Sequence, residues 1–216
     1  MLINADLQQR LVIDSNSVAW QPSPLPGVDR RPLERMGEES GRATSIVRYA
    51  AGSSFKAHAH PQGEEIFVLQ GTFADEHGSY PAGTWLKNPP GSSHAPCSPD
   101  GCLLFVKLCH LTAADTNSEC IDTASAEWLP GQVAGLTVLP LDSVGSVHTA
   151  LVRWAPGTHF AAHRHMGGEE ILVLEGTFQD ENGDYPAGTW LRSPHSSQHQ
   201  PFSEAGCLIY VKVGHL

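Results

Sequence analysis

Two sets of histidine and glutamate residues with the same spacing are the residues of this chain best suited to chemistry. The first set is His58, His60, Glu64 and His94, and the second is His163, His165, Glu169 and His199. Imidazole nitrogens and carboxylate oxygens are ligands that zinc and other divalent transition metals take in proteins. Each set offers three nitrogens and one oxygen, so the sequence predicts two divalent-metal sites.

The spacing within each set predicts extended backbone. Side chains of a strand alternate between its two faces, so His58 and His60 point to one face, and Glu64 shares their parity. Glu65 has the opposite parity and would need a β-bulge to reach the same site. We therefore expect Glu64, and the corresponding Glu169, to be the ligands, with the last histidine of each set joining from a neighbouring strand.

The two sets belong to an internal repeat. Residues 58–111 match residues 163–216 at a constant offset, with about 33 of 54 positions identical, which indicates a tandem duplication. From the repeat and the polar stretch between its copies we expect four segments: an N-terminal extension over 1–13, a first domain over 14–111, a linker over 112–125 and a second domain over 126–216.

Short apolar runs separated by turn signals predict strands throughout each copy. The apolar runs 66–69 and 171–174 are predicted to be strands that stop at Gly71 and Gly176. No stretch shows sustained helical periodicity. The 21 glycines and 16 prolines also favour many turns. The pattern predicts an all-β fold with one sandwich or barrel per copy.

The remaining histidines and cysteines are predicted to be structural. His110 and His215 follow the last apolar run of each copy, where edge or interface residues are more common than ligands. The five cysteines form no C-x-x-C pair, which excludes a thiolate zinc site and a disulfide framework. We expect them to be reduced: Cys97, Cys102, Cys109, Cys120 and Cys207.

Composition narrows the function classes. The chain of 216 residues has a formal net charge of −10 and no basic stripe, which argues against direct nucleic-acid binding. It has no apolar run long enough to span a membrane, and its first residues do not resemble a secretory signal, so we expect a cytoplasmic protein. A homodimer is expected, because sheet edges often join two chains.

The motifs around both sets resemble the two signature motifs of the cupin superfamily. In copy one they are Gly52-(x5)-His58-x-His60-(x3)-Glu64-(x6)-Gly71 and Gly83-(x5)-Pro89-x-Gly91-(x2)-His94. Copy two repeats them over 157–176 and 188–199, with His195-Ser196 in place of Pro90-Gly91. The resemblance implies a bicupin: two tandem cupin barrels of the double-stranded β-helix or jelly-roll type, each with a metal inside.

Within the superfamily, the stretch VLQGTFADEHGSYPAGTW is similar to the cupin domain of ChrR-type anti-ECF sigma factors. That resemblance implies zinc held by the matching histidines and glutamate, and a role in the response to singlet oxygen and related stress. In those proteins a separate helical domain with its own His/Cys zinc motif holds the sigma factor. The first forty residues here contain neither His nor Cys, so the resemblance extends to the barrels and not to that domain.

Two functions from different classes follow. One is a zinc-binding regulatory or stress-sensing protein related to anti-sigma factors, with a sigma factor or other regulatory protein as partner and a small-molecule ligand as a further expectation. The other is a cupin-type dioxygenase that uses iron, manganese or nickel on a small organic substrate. Six residues are candidate cavity walls, although core packing is favoured for each: Phe55, Phe67, Trp85, Phe160, Leu172 and Trp190.

Overall fold

The structure, a computed structural model, describes residues 1–39 and 41–216. The chain divides into two compact units. Unit 1 comprises Met1–Ala5 and Val18–Ala126, and unit 2 comprises Asp6–Ser17 and Glu127–Leu216. The described residues contain strands and turns but no helix, which confirms the all-β prediction, and hence no helix that could span a membrane.

The strands are numbered in chain order over the described residues. They are β1 Leu2–Ile3, β2 Leu11–Asp14, β3 Gln21–Pro22, β4 Val28–Met36, β5 Arg42–Tyr49, β6 Ser53–Ser54, β7 His58–His60, β8 Glu64–Asp75, β9 Gly78–Pro81, β10 Thr84–Asn88, β11 Ser92–His94, β12 Cys97–Ser98 and β13 Cys102–Leu108. They continue with β14 Glu119–Asp122, β15 Leu129–Pro130, β16 Leu136–Val144, β17 Val147–Trp154, β18 Thr158–His159, β19 His163–Arg164, β20 Glu169–Asp180, β21 Gly183–Pro186, β22 Thr189–Ser193, β23 Gln198–His199, β24 Phe202–Ser203 and β25 Cys207–Val213.

Among the described strands, both units share an antiparallel topology, except that β1 of unit 1 has no counterpart in unit 2, where β15 corresponds to β3. The main sheet of unit 1 has the order β1-β4-β5-β13-β8-β10-β14, and that of unit 2 has the order β15-β16-β17-β25-β20-β22-β2. Each unit also has a two-stranded ladder, β7 with β11 in unit 1 and β19 with β23 in unit 2. These two ladders carry the histidines of the predicted sites.

One edge strand of each main sheet comes from a segment that precedes the other copy in sequence. Strand β2 pairs with β22 of unit 2, and β14 pairs with β10 of unit 1. The stretch 1–13, expected to be an extension, thus supplies most of a strand to unit 2. The stretch 112–125, expected to be a linker, supplies a strand to unit 1. Sequence similarity assigns residues to copies, whereas the hydrogen-bonded ladders assign them to units.

Each unit has an apolar core of alternating strand residues. In unit 1 the core includes Ile66, Val68 and Leu104, and in unit 2 it includes Ile171, Val173 and Ile209. Such alternation places one face of each strand inside and directs the opposite side chains away from it.

The central strands are longer than predicted. The prediction that they stop at Gly71 and Gly176 is wrong, because β8 and β20 run on to Asp75 and Asp180. Both glycines have φ near +70° and lie just past a β-bulge, and a Cβ there would clash with a backbone oxygen of the neighbouring strand connection. Glycine therefore marks a bend within the strand and not its end.

Candidate metal centre

Two-stranded ladders bring the histidines of each set together. In unit 1, His58 lies directly opposite His94 in the β7–β11 ladder, and His60 lies two residues further along the same strand. The ring centroids of these three histidines lie 4.8 to 5.2 Å apart. In unit 2, His163 lies opposite His199 in the same way. The alternation of strand side chains thus forms a three-imidazole cluster in each unit.

A tight turn returns the chain from the second histidine to the glutamate. Gly63 has φ of +74°, and its amide donates a hydrogen bond to the carbonyl oxygen of His60 at 3.1 Å. A Cβ at this position would lie 2.6 Å from Leu111 and 3.0 Å from the carbonyl oxygen of Asn88. Only glycine fits there without strain, and the turn allows Glu64 to begin β8 beside the histidines.

The glutamate oxygens lie close to the imidazole nitrogens. In unit 1, Glu64 Oε2 is 3.5 Å from His60 Nε2 and 3.6 Å from His94 Nε2. The same two distances occur between Glu169 and the histidines of unit 2. In unit 2, one potential ligand atom from each of the four residues lies within 4.8 Å of the others, and in unit 1 the three histidines meet this criterion. The structure therefore brings together the residues that the sequence predicted, with Glu64 and not Glu65 at the site.

The cluster has the free electron pairs that a metal needs. The Nε2 atoms of His60, His165 and His199 are buried and accept or donate no hydrogen bond within the described residues. Leaving a buried polar atom without a partner costs about 1–3 kcal/mol. A divalent cation among these nitrogens and the carboxylate would satisfy them, so the residues fit a metal.

The outer nitrogens of the histidines are held by other groups. His94 Nδ1 lies 3.2 Å from Asp75 Oδ2, and His199 Nδ1 lies 3.5 Å from Asp180 Oδ2. Tyr80 and Tyr185 each donate a hydroxyl hydrogen bond to the respective aspartate, at 2.9 and 2.6 Å. Such carboxylate–histidine pairs place the proton on Nδ1 and leave Nε2 free for a metal.

The first histidine of each set is oriented by the backbone. His58 Nδ1 lies 3.4 Å from the carbonyl oxygen of Lys56, and His163 Nδ1 lies 3.0 Å from that of Ala161. A carbonyl oxygen can only accept, so Nδ1 is the donor in both cases. Sequence reasoning missed this outer layer, although Asp75, Tyr80 and their counterparts lie in blocks shared by both copies.

Burial favours the uncharged forms of the ligands. It raises the pKa of Glu64 and of Glu169 to about 7. Burial and neighbouring histidines lower the pKa of His60 to about 4 and that of His165 to about 3. A metal ion at this place would supply the positive charge that stabilises the ionised glutamate.

Arg10 distinguishes the outer layer of unit 2 from that of unit 1. In unit 2, Arg10 on the segment leading into β2 donates hydrogen bonds to Asp180 Oδ2 at 3.1 Å and to the Tyr185 hydroxyl at 2.7 Å. The corresponding residue before β14 is Ser118, which is exposed. The pKa of His199 is raised overall. Burial by itself would lower this pKa, but the hydrogen bond to Asp180 and the nearby acidic charges have the larger effect.

The family assignment follows from the sequence as a whole. The model of the ChrR cupin-like domain matches residues 8–112 and again residues 116–216. The chain belongs to the ChrR cupin-like domain family. The predicted bicupin architecture of two tandem cupin domains is thereby confirmed. The first match includes β2, which belongs to the sheet of unit 2, and the second includes β14, which belongs to the sheet of unit 1.

Solved cupins of low sequence identity share the fold. A protein from Nostoc punctiforme described as a candidate dioxygenase has a TM-score of 0.80 at 15% identity, covering 95% of this chain and 82% of that one. A single-residue variant of Bacillus subtilis oxalate decarboxylase has a TM-score of 0.68 at 14% identity, covering 94% of this chain and 77% of that one. Oxalate decarboxylase has been described with Mn(II) centres. No protein of curated function matches the sequence.

The other predicted residues of this bicupin are not members of the ligand clusters. His215 Nε2 is 3.0 Å from Glu170, and His110 Nε2 is 3.3 Å from the Thr44 hydroxyl. The cysteines are free, with Cys102 and Cys207 buried. Of the six candidate wall residues, Phe160 lines the cavity of unit 2, and Trp85 and Trp190 are buried in their units.

The turn before His199 keeps its shape despite its different sequence. Gly91 has φ of +83°, and Ser196, its counterpart, has φ of +63°. The left-handed conformation is unfavourable for a residue with a Cβ. The cupin motif is therefore retained in copy two at some cost in local strain.

A cavity opens beside each cluster. The cavity of unit 1 has a volume of about 340 Å³ and is lined by His58, His60 and Glu64. The cavity of unit 2 has a volume of about 680 Å³ and is lined by all four predicted ligands of that unit. Both volumes fall in the range of small-molecule sites, roughly 300–1,000 Å³.

Proposed function

We propose that this ChrR-like cupin protein holds one divalent metal ion, zinc, in each barrel through three histidines and one glutamate. The observation that carries the proposal is the convergence of imidazole nitrogens on a buried glutamate in both units, with His60 Nε2 buried and unpartnered in unit 1, and His165 Nε2 and His199 Nε2 in unit 2. The ligands would be His58, His60, Glu64 and His94 in unit 1, and His163, His165, Glu169 and His199 in unit 2. Zinc with such a ligand set supplies Lewis acidity without redox chemistry.

The protein's role in this proposal is regulatory: it senses a stress signal in the cytoplasm and passes it to a sigma factor or another regulatory protein. Membership of the ChrR cupin-like family supports it. The bonds from the outer layer to the histidine Nδ1 atoms support the metal centre on which this role depends, because they hold the ligands ready for a metal. The regulatory partner would recognise the zinc-loaded protein, which would act as a homodimer.

An oxygenase is the second candidate, and the cavity of unit 2 favours it. All four ligands of that unit line a space large enough for a small organic substrate. With iron, manganese or nickel in place of zinc, the chain's residues would bind the substrate and Glu169 would be the group able to accept a proton.

Metal content tests the proposal. The full chain is purified without added metal or a polyhistidine tag, and metal per chain is measured by elemental mass spectrometry. About two zinc ions per chain are expected, and the double variant His58→Ala/His163→Ala should retain far less. A matched control is His77→Ala/His159→Ala, which removes one exposed histidine from each unit.

The outcomes separate the candidates. Zinc lost only in the ligand variant supports the metal centre and the regulatory role. Iron, manganese or nickel, together with substrate-dependent oxygen uptake, supports the oxygenase and overturns the zinc proposal. Absence of bound metal after reconstitution overturns both.

A further inference from the structure

One difference between the cavities of the two units lies at a register position shared by β4 and β16. Arg30 on β4 pairs with Val47, and Val138 on β16 pairs with Val152, the repeat counterpart of Val47. Both residues line the cavity of their own unit. The same wall position is thus a cation in unit 1 and an apolar side chain in unit 2.

In unit 1 this arginine forms an ion pair at the cavity. Arg30 donates two hydrogen bonds to the carboxylate of Glu39, at 2.7 and 3.2 Å, and Glu39 also lines the cavity. Glu39 lies in the connection between β4 and β5, which runs from Met36 to Arg42. The corresponding connection in unit 2 has only Gly145 and Ser146, so it contains no counterpart of Glu39.

The cavity of unit 2 is consequently the larger and has an apolar wall. Its volume is about 680 Å³, against about 340 Å³ in unit 1. The wall includes Leu136, Val138, Val152, Trp154, Ile209 and Val211. Apolar walls with few polar groups at one end are typical of sites for organic ligands.

Two polar features point to an acidic group on the ligand. Arg164 is an exposed residue between His163 and His165 in sequence, and it borders the cavity of unit 2. Its counterpart in unit 1 is Ala59. In addition, the indole N–H of Trp154 is buried and has no acceptor among the described residues. A cation and a free donor both favour an anionic, oxygen-bearing ligand.

We infer that unit 2 binds an organic acid with an apolar chain, its acid group on the metal side and its chain along the apolar wall, and that the Arg30–Glu39 pair excludes this ligand from unit 1. The inference rests on the proposed metal centre. It assigns the two barrels different ligand classes, although their metal-ligand residues are the same.

Alkyl hydroxamates test the inference, because their two oxygens chelate zinc and their chain length can be varied. The zinc-loaded full chain is titrated with acetohydroxamate, butanohydroxamate and octanohydroxamate by isothermal titration calorimetry. Each buried methylene strengthens binding by up to roughly fourfold. Octanohydroxamate is therefore expected to bind at least tenfold more tightly than acetohydroxamate at one site per chain.

Variants that exchange the distinguishing residues locate the site. Val138→Arg introduces into unit 2 the arginine that unit 1 has at the same register position. This variant should abolish the preference for hydroxamates with a longer chain. Val12→Arg is the matched control, because Val12 is 45% exposed on β2 of unit 2 and does not line the cavity. Arg30→Val/Glu39→Gln should give unit 1 a chain-length preference. Arg164→Ala should weaken octanohydroxamate binding severalfold.

Two results would overturn the inference: equal affinity for the short and long hydroxamates, or a chain-length preference that survives in Val138→Arg. If zinc is bound and none of the three hydroxamates binds, the inference also fails while the metal centre stands. If zinc itself is not bound, the proposed function fails first, so the two failures are distinguishable.

Discussion

Glu64→Gln should stabilise the metal-free protein at alkaline pH. Glu64 is 7% exposed, and burial raises its pKa from 4.5 to about 7. A carboxyl group with a raised pKa holds its proton more tightly in the folded state than in the unfolded state. The folded state therefore loses stability as pH rises above 4.5, and this loss is complete above about 7. Glutamine keeps the acceptor for the Asn88 side-chain amide, which donates to Glu64 at 3.1 Å, without the ionisation.

The magnitude follows from the shift in pKa. Each pKa unit corresponds to about 1.4 kcal/mol, so the shift of Glu64 destabilises the metal-free wild type at pH 8 by roughly 3 kcal/mol, against roughly 1 kcal/mol at pH 5. The difference in free energy of unfolding between the variant and the wild type should thus change by roughly 2 kcal/mol between pH 5 and pH 8. For a chain of this size that corresponds to about 4–8 °C in melting temperature.

Melting temperature measured by circular dichroism at pH 5 and pH 8 in the presence of a chelator checks this prediction. Asp100→Asn is the control, because Asp100 is an exposed carboxylate of the same unit. Zinc should reverse the order at pH 8, since the wild type alone has the anionic ligand in unit 1. A variant that is destabilised equally at both pH values would refute the reasoning that the buried carboxyl resists ionisation.

Three further predictions concern single residues. Ser196→Gly should raise the free energy of unfolding, measured in urea, by about 1 kcal/mol, because the residue has φ of +63°; an unchanged value would mean that the turn is not strained. Arg10→Gln removes the guanidinium that hydrogen-bonds Asp180, so zinc affinity at unit 2 should fall about tenfold. Competition with a chromophoric chelator measures this affinity, and an unchanged value would contradict the role of Arg10. Cys207 is buried and burial raises its pKa to about 11, so it should react with a thiol reagent only after unfolding, whereas the exposed Cys120 should react in the folded protein; fast labelling of both would contradict the described burial.

Much of the candidate site could be predicted because its signals are local. Strand alternation places His58 and His60 on one face of β7. Glu64 lies beside the histidines as predicted, but it reaches them through the turn at Gly63 and not by continued alternation. The repeat then predicts a second cluster of the same kind.

Other features depend on pairings that have no local signature. The sequence predicts that the strand ends at Gly71, where the apolar run stops. The pairing with β13 shows instead that the strand bends there and continues to Asp75. The roles of Asp75 and Asp180 depend on contacts with histidines 19 residues away along the chain. Such distant contacts are decided by packing and not by spacing.

The amino-acid sequence by itself determined the all-β class, the duplication and the identity of the clustered histidines and glutamates, because period-two alternation and repeated motifs are properties of short segments. The tertiary structure alone decided which unit receives each edge strand, with β2 paired in unit 2 and β14 in unit 1. It also decided that the two cavities differ in size. Strand pairing and cavity shape result from backbone hydrogen bonds and side-chain packing between segments far apart in the chain, which no local pattern specifies.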